Sequence, residues 1–337
     1  MKLGAFLSCL SDRSLEEALS IVGDMGLTSV EITAGGFLPP VHLPIEQLRD
    51  SAGAREDYLG QFAERGIDLT ALNANGNPLH PDPQVGPAHA DGVRTAVEIA
   101  GHLGVGKVVV MAGLPAGAAG DKAMSWAVAP WDSAFLDIQD YQWNEVGVPF
   151  WRSIDELARE HGVQVCVEMH PHTLVYNTAT LERLLDATGA TNIGAQMDPS
   201  HLFWQGIDPI QVIEHLGDRV FHAAAKDTRI NESSRALNGV LNDSFRRIPD
   251  AENPVSLGGK YVVTNFPADA PWNFVAIGKG HDVDYWSRFL AALQAVNPTI
   301  AVNIEHEDGE LGQVEGLGLA ASNLGKALAQ VEGQKPA

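Results

Sequence analysis

Cysteine is nearly missing from this chain, which carries two, Cys9 and Cys166, among 337 residues. Both fall in stretches that read as strands, so buried free thiols are expected and a disulfide framework is excluded. A reducing, cytoplasmic setting is the expectation that follows. Basic residues are scarce as well: 22 Lys and Arg stand against 43 Asp and Glu, a formal net charge of −21. Nucleic acid and anionic membrane would both repel such a chain, so neither is expected as a partner. No apolar run approaches the roughly 20 residues of a spanning helix. The short run after Lys2 is too brief for a secretory signal and reads as a first strand followed by a capped helix, with Ser14 and Glu17 spaced as a capping box. After that strand, SCLSDRS has no glycine-rich phosphate loop, which argues against an open dinucleotide-binding sheet. Solenoid repeats and dividing linkers are also absent, so one domain is expected over 1–332, with a frayed tail at 333–337.

What is present is an alternation of strand and helix repeated eight times. The strands read as LGAFLSCL, SVEIT, DLTALN, KVVVMAG, VQVCVEM, IGAQMD, VFHAAAKD and TIAVNIEHE. Helices are expected between them, including one over 45–65 and a long one over 132–161 that breaks near Gly147 or Pro149. Strands separated by helices pair in parallel, and eight such units in this length predict an α/β fold of the (β/α)8 TIM-barrel type. Residues 228–271 carry few periodic signals and read as a long insertion after strand seven.

Four strands end in residues that bind cations. VCVEMHP carries Glu168 and His170, MDPSH carries Asp198 and His201, VFHAAAKD carries His222, and NIEHED carries Glu305. A carboxylate ending an apolar strand is costly unless its charge is compensated. In this barrel type the active site lies at those strand ends. Three carboxylates and an imidazole, Glu168, Asp198, Glu305 and His222, form a hard donor set suited to Mn2+ first, and to Mg2+, Co2+ or Zn2+. The alternative is an ion-pair network built on Lys226, Arg229 or Lys279.

These motifs resemble the xylose-isomerase-like TIM barrels, the sugar phosphate isomerase and epimerase family, over nearly the whole chain. The resemblance implies that Glu168, Asp198, His222 and Glu305 hold a divalent metal. It implies that Glu168 and Glu305 also act as the acid/base pair, and that His201 contacts substrate. The implied activity is a sugar isomerase or epimerase that removes a proton beside a carbonyl through a metal-stabilised enediolate. NPLHP, DPSHLFWQGIDP and GKGHD also resemble the larger subunit of bacterial C-glycoside deglycosidases. That resemblance implies a lyase acting on 3-oxo-glycosides with a small partner subunit. The expected ligand is a sugar or glycoside, and the expected assembly is a homo-oligomer or a hetero-oligomer with that subunit.

Further candidates have ordinary readings beside the functional one. His170 is a substrate contact or a loop histidine. Lys226 binds a substrate oxygen or pairs with Asp227 or Asp198. Asn73, Asn75 and His80 read substrate hydroxyls or turn the loop after strand three. His281 touches the barrel mouth or begins a helix. Trp126, Trp131, Trp143, Trp151 and Trp204 are expected mostly in core or interface, with one or two stacking on a sugar face.

Overall fold

The computed structural model describes residues 1–241, 243–249, 256–267 and 269–333. Eight parallel strands are β1 (Lys2–Phe6), β2 (Ser29–Thr33), β3 (Asp68–Asn73), β4 (Lys107–Met111), β5 (Gln164–Glu168), β6 (Ile193–Met197), β7 (Val220–Ala225) and, after the insertion, β14 (Ala301–Ile304). They close in the order β1-β14-β7-β6-β5-β4-β3-β2, a (β/α)8 barrel. β2, β6 and β7 are buried along their whole length, as strands covered on both faces must be. No helix among the described residues is long and apolar enough to cross a membrane.

The chain divides into two compact units. One comprises residues 1–31, 59–69 and 197–337, the other 32–58 and 70–196. The first is built on the fully buried Trp286 and Phe289 of the helix Val283–Val296. The second is built on Trp151 and Ile154 of the helix Val148–His161 and Ile99 of the helix Gly86–Leu103. Ser14 and Glu17 form the expected capping box at the helix Leu15–Asp24.

Several boundaries differ from the sequence reading. β1 stops at Phe6, and Leu7–Leu10 form a 3-10 turn, so Cys9 sits in that turn and not in a strand. Its thiol is still buried, and burial pushes its pKa up to about 12. The helix expected over 45–65 is two, Ile45–Asp50 and Ala52–Ala63. Ser51 between them is extended, and its hydroxyl accepts from the Ala54 N–H, restarting the helix as a local cap does. The helix expected over 132–161 runs as Ser133–Asp140, a π-helical stretch Tyr141–Gly147, and Val148–His161. Pro149 has no N–H to give the preceding turn, which accounts for the shift in hydrogen-bond ladder there.

The insertion begins one residue earlier than expected and has structure of its own. β8 (Asp227–Ile230) pairs antiparallel with β13 (Trp272–Val275), joining Asp227 to Val275 and Ile230 to Trp272. Among the described residues between them lie the helix Glu232–Asn238 and the short strands β9 (Arg246–Arg247), β10 (Ser256–Gly258), β11 (Tyr261–Val262) and β12 (Thr264–Asn265). Strands of two to four residues leave no readable alternation, which is why the sequence looked aperiodic. Residues 242, 250–255 and 268 of this insertion lie outside the described residues. So does the tail 334–337, while Gly333 ends the last helix, Gln313–Gly333.

A polar layer lies inside the first unit. A Cβ on Gly4 would stand 2.1 Å from the Ser29 carbonyl oxygen and 2.3 Å from Asn303 Oδ1, while the Ser29 hydroxyl donates to that same Oδ1 at 3.0 Å. Neither neighbour is the end of a flexible chain, so this layer requires glycine. Gly4→Ala is expected to lower stability by about 1–3 kcal/mol or more through overpacking. A thermal midpoint within 1 °C of the parent in differential scanning calorimetry would contradict this.

Candidate functional site

In the second unit, Glu168 is the last residue of β5 and is buried. Asn75, two residues beyond β3, donates its side-chain N–H to Glu168 Oε2 at 2.6 Å. Of the two readings of Asn73, substrate contact or loop turn, its Oδ1 makes the turn, accepting from the Asn75 N–H at 2.9 Å. His170 does not share a strand face with Glu168 as the alternation suggested, because β5 ends at Glu168. His170 instead opens a tight turn in which its N–H donates to the Val175 carbonyl at 3.0 Å. The Thr173 hydroxyl closes that turn on the carbonyl of His170 at 2.8 Å. The His170 Nδ1 lies 2.6 Å from the Pro171 carbonyl oxygen. A carbonyl only accepts, so Nδ1 carries the proton. Glu168 and His170 each offer a ligand atom, and the two lie within 4.8 Å of one another.

In the first unit, Asp198 follows β6 and is buried, and its Oδ1 accepts from the Ser200 N–H at 2.8 Å. That bond starts the short helix Ser200–Trp204, which carries the buried His201. The sequence reading missed this helix. His201 packs edge-on against Phe274 of β13 at 5.3 Å between ring centroids. Glu305 stands one residue past β14, level with Lys226, since the register pairs Ile304 with Ala225. The Lys226 ammonium lies 2.9 Å from Glu305 and 2.7 Å from Glu307, over the Phe274 ring at 4.4 Å. The ion pairs recorded for Lys226 are with these two glutamates. Burial nevertheless pushes the Glu305 carboxyl up to about 7, with Lys226 opposing and Glu307 and Asp198 adding to the rise. The ion-pair alternative is thus partly realised. Arg229 and Lys279 go elsewhere, Arg229 to Glu310 and Lys279 to both Glu310 and Asp308. These bonds, Arg229 first, pull Glu310 down to about 2.

His222 is placed differently from the expectation that it shares a cation with Glu305. The side-chain amide of Asn303 meets its Nε2 at 3.1 Å, and its Nδ1 lies 3.7 Å from Glu31. His222 therefore belongs to the layer of Asn303, Ser29 and Gly4. Glu305 comes two residues after Asn303, roughly 7 Å further along the strand. The matching step on β7 reaches Ala224, which has no donor. The reason is periodicity: inward positions recur every second residue, and the strand pattern cannot say which layer faces the mouth. Glu31 and Asn303 were not singled out as partners of His222. A buried acid in SVEIT was the available signal for the first.

His281 directly precedes Asp282, the N-cap of the helix Val283–Val296, as one of its two readings has it. Its Nδ1 lies 2.8 Å from Asp227 Oδ1, and its ring stacks on Phe203 at 3.8 Å. The other Asp227 oxygen accepts three backbone N–H groups, from Gly278, Gly280 and His281, at 3.0–3.1 Å. Asp227 is fully buried, so this carboxylate is the anchor of the GKGH loop. Of the tryptophans, Trp143, Trp151 and Trp204 are buried, Trp126 is half-buried on His172, and Trp131 is 93% exposed. Asp227→Ala would strand four backbone donors at once, the Thr228 N–H on Oδ1 included. At about 1–3 kcal/mol for each buried unsatisfied group, a loss of at least roughly 3 kcal/mol is expected in denaturant unfolding. Hydrogen exchange at 278–281 should rise with it. Unchanged exchange there would refute the anchor.

Comparison with known proteins agrees with this architecture. The chain is 33% identical over 333 residues to the uncharacterized protein YfiH of Bacillus subtilis, covering 98% of this chain and all of that one. An inosose dehydratase of Lacticaseibacillus casei is 29% identical over 113 residues, 32% of this chain and 38% of that protein. Among solved structures, a D-tagatose 3-epimerase-like protein matches with TM-score 0.61 and 17% identity over 99% of both chains. The IOLI protein with a bound zinc atom matches with TM-score 0.60 and 18% identity over 98% of both. At those identities the structures establish the fold alone. Residues 19–323 match the xylose isomerase-like TIM barrel family, and with a full-length relative at one-third identity the chain belongs to it.

Proposed function

We propose that this protein is a divalent-cation-dependent enzyme of the sugar isomerase and epimerase type, which moves a proton on the carbon beside a carbonyl. The observation that carries the reading is the buried Glu168 with a ligating imidazole atom within 4.8 Å. Hard oxygen with one nitrogen fits Mn2+, Mg2+ or Zn2+. The zinc atom named for one structural neighbour supports the same class. Glu305 fits too, since a cation nearby would relieve the burial that raises its pKa to about 7. His222 does not fit, because Asn303 and Glu31 already engage its ring. In the second unit the residues that would hold the cation are Glu168 and His170.

When bound, the cation would stabilise the negative charge that develops on the carbonyl oxygen. Glu168 takes the proton from carbon, held in one orientation by the Asn75 amide. Glu305 is the second acid/base, able at neutral pH both to hold a proton and to release it. Lys226, at 2.9 Å from Glu305, keeps that carboxyl from rising further. His201 and the Phe274 ring beside it offer a hydrogen-bonding edge and an apolar face to a sugar.

A second reading is elimination of water from the same carbanion, as a dehydratase. The inosose dehydratase relative favours it. Metal content of the purified protein comes first, then assays on free ketoses and on inososes with that metal restored. Glu168→Gln is expected to cost about 10²–10⁴ in turnover with the circular dichroism spectrum unchanged. Undiminished turnover in that variant would reject Glu168 as the base. Ketose turnover without dehydration separates the epimerase from the dehydratase.

A further inference from the structure

We infer that Asn75 is a positioning residue for Glu168, setting the rotation of its carboxylate before any ligand arrives. The inference rests on the reading of Glu168 as a cation ligand and base. Its own support is a set of constraints in the second unit that converge on one amide. The Asn75 backbone is clamped at both ends. Its N–H donates to Asn73 Oδ1 at 2.9 Å, and its carbonyl accepts from the Phe37 N–H at 2.8 Å. The approach of Phe37 depends on Gly36, which has a φ of +86° and whose added Cβ would stand 2.1 Å from the Asn75 carbonyl oxygen. No other residue type meets both demands. β3 is tied to its neighbours up to this point, with Ala34 N–H donating to the Asn73 carbonyl and Ala74 N–H to the Val109 carbonyl.

The side chain is then oriented by chemistry. A carboxylate oxygen 2.6 Å away can be met by the NH2 of the amide and not by its oxygen, so the two ends of the amide are assigned. That assignment turns Asn75 Oδ1 away from Glu168, where it is buried and meets no protein donor. A buried acceptor left unmatched costs about 1–3 kcal/mol. A residue kept for stability alone would not carry that cost. The amide places its N–H on the carboxylate and leaves its own oxygen buried without a protein donor. Ligands to metals are commonly steered by such outer hydrogen bonds, and loss of one lowers cation affinity about 10–100-fold.

The test is calorimetric titration of Mn2+ into four forms of the full chain: parent, Asn75→Ala, Glu168→Gln and the double variant. Mn2+ affinity is expected to fall at least 10-fold in Asn75→Ala, with the circular dichroism spectrum unchanged. In the Glu168→Gln background the same substitution should change affinity less than 2-fold, because there is no carboxylate left to steer. Parent-like Mn2+ affinity in Asn75→Ala overturns the inference and leaves the proposed function standing. An equal loss in both backgrounds also overturns it, since Asn75 would then act independently of Glu168. Failure of the parent itself to bind Mn2+, Mg2+ or Zn2+ would sink the cation reading, and this inference with it.

Discussion

A carboxylate taken out of water at the end of a strand must find a positive or proton-donating partner, or stay protonated. That constraint organises both units, and it is met in different ways at different strands. Glu168 takes an amide N–H from Asn75. Asp198 takes the first backbone N–H of a short helix. Asp227 takes four backbone N–H groups and an imidazole, and becomes a structural anchor. Glu305 takes an ammonium and still sits near neutrality in its affinity for a proton. A group of that kind suits proton transfer, whereas Asp227 is saturated and suits only support.

The interior of the first unit is layered, and the layers divide structure from chemistry. Gly4 sits so close to Ser29 and Asn303 that a Cβ would not fit, and the Asn303 amide in turn meets His222. One step along the strands, Ala224 presents no functional group, and Lys226 reaches across to Glu305 and Glu307. A lysine ammonium in that position holds two acids together at the end of the strands. The barrel thus uses its histidine on β7 for packing and its lysine on the same strand for charge.

The insertion after β7 extends the barrel's own hydrogen bonding. Pairing of β8 with β13 brings Phe274 between Lys226 and His201, and sets Trp272 flat on Trp204 at 4.9 Å. Aromatic rings from the insertion therefore form one wall beside residues that begin at the strand ends. Aromatic faces of that kind complement the apolar face of a sugar ring or a flat substituent.

The alternation of strands and helices, the capping box at Ser14 and the acidic strand ends were legible in the chain, because each depends on neighbours within a few residues. The carboxylates Glu168 and Glu305 stood out for the same reason: a charge in an apolar run is a local anomaly. The layer occupied by His222, the loss of His170 from the strand face and the inward commitment of His281 were not legible. Each depends on where a strand stops, or on a partner 50 to 90 residues away, such as Asp227 for His281 and Asn303 for His222. The same holds for Asn75, whose meaning comes from a carboxylate 93 residues distant. Sequence by itself determined the barrel and which acids are exceptional, since periodicity and composition are properties of short stretches. Tertiary structure alone decided which of those groups share a layer, because register between strands is set by long-range packing that no single stretch encodes.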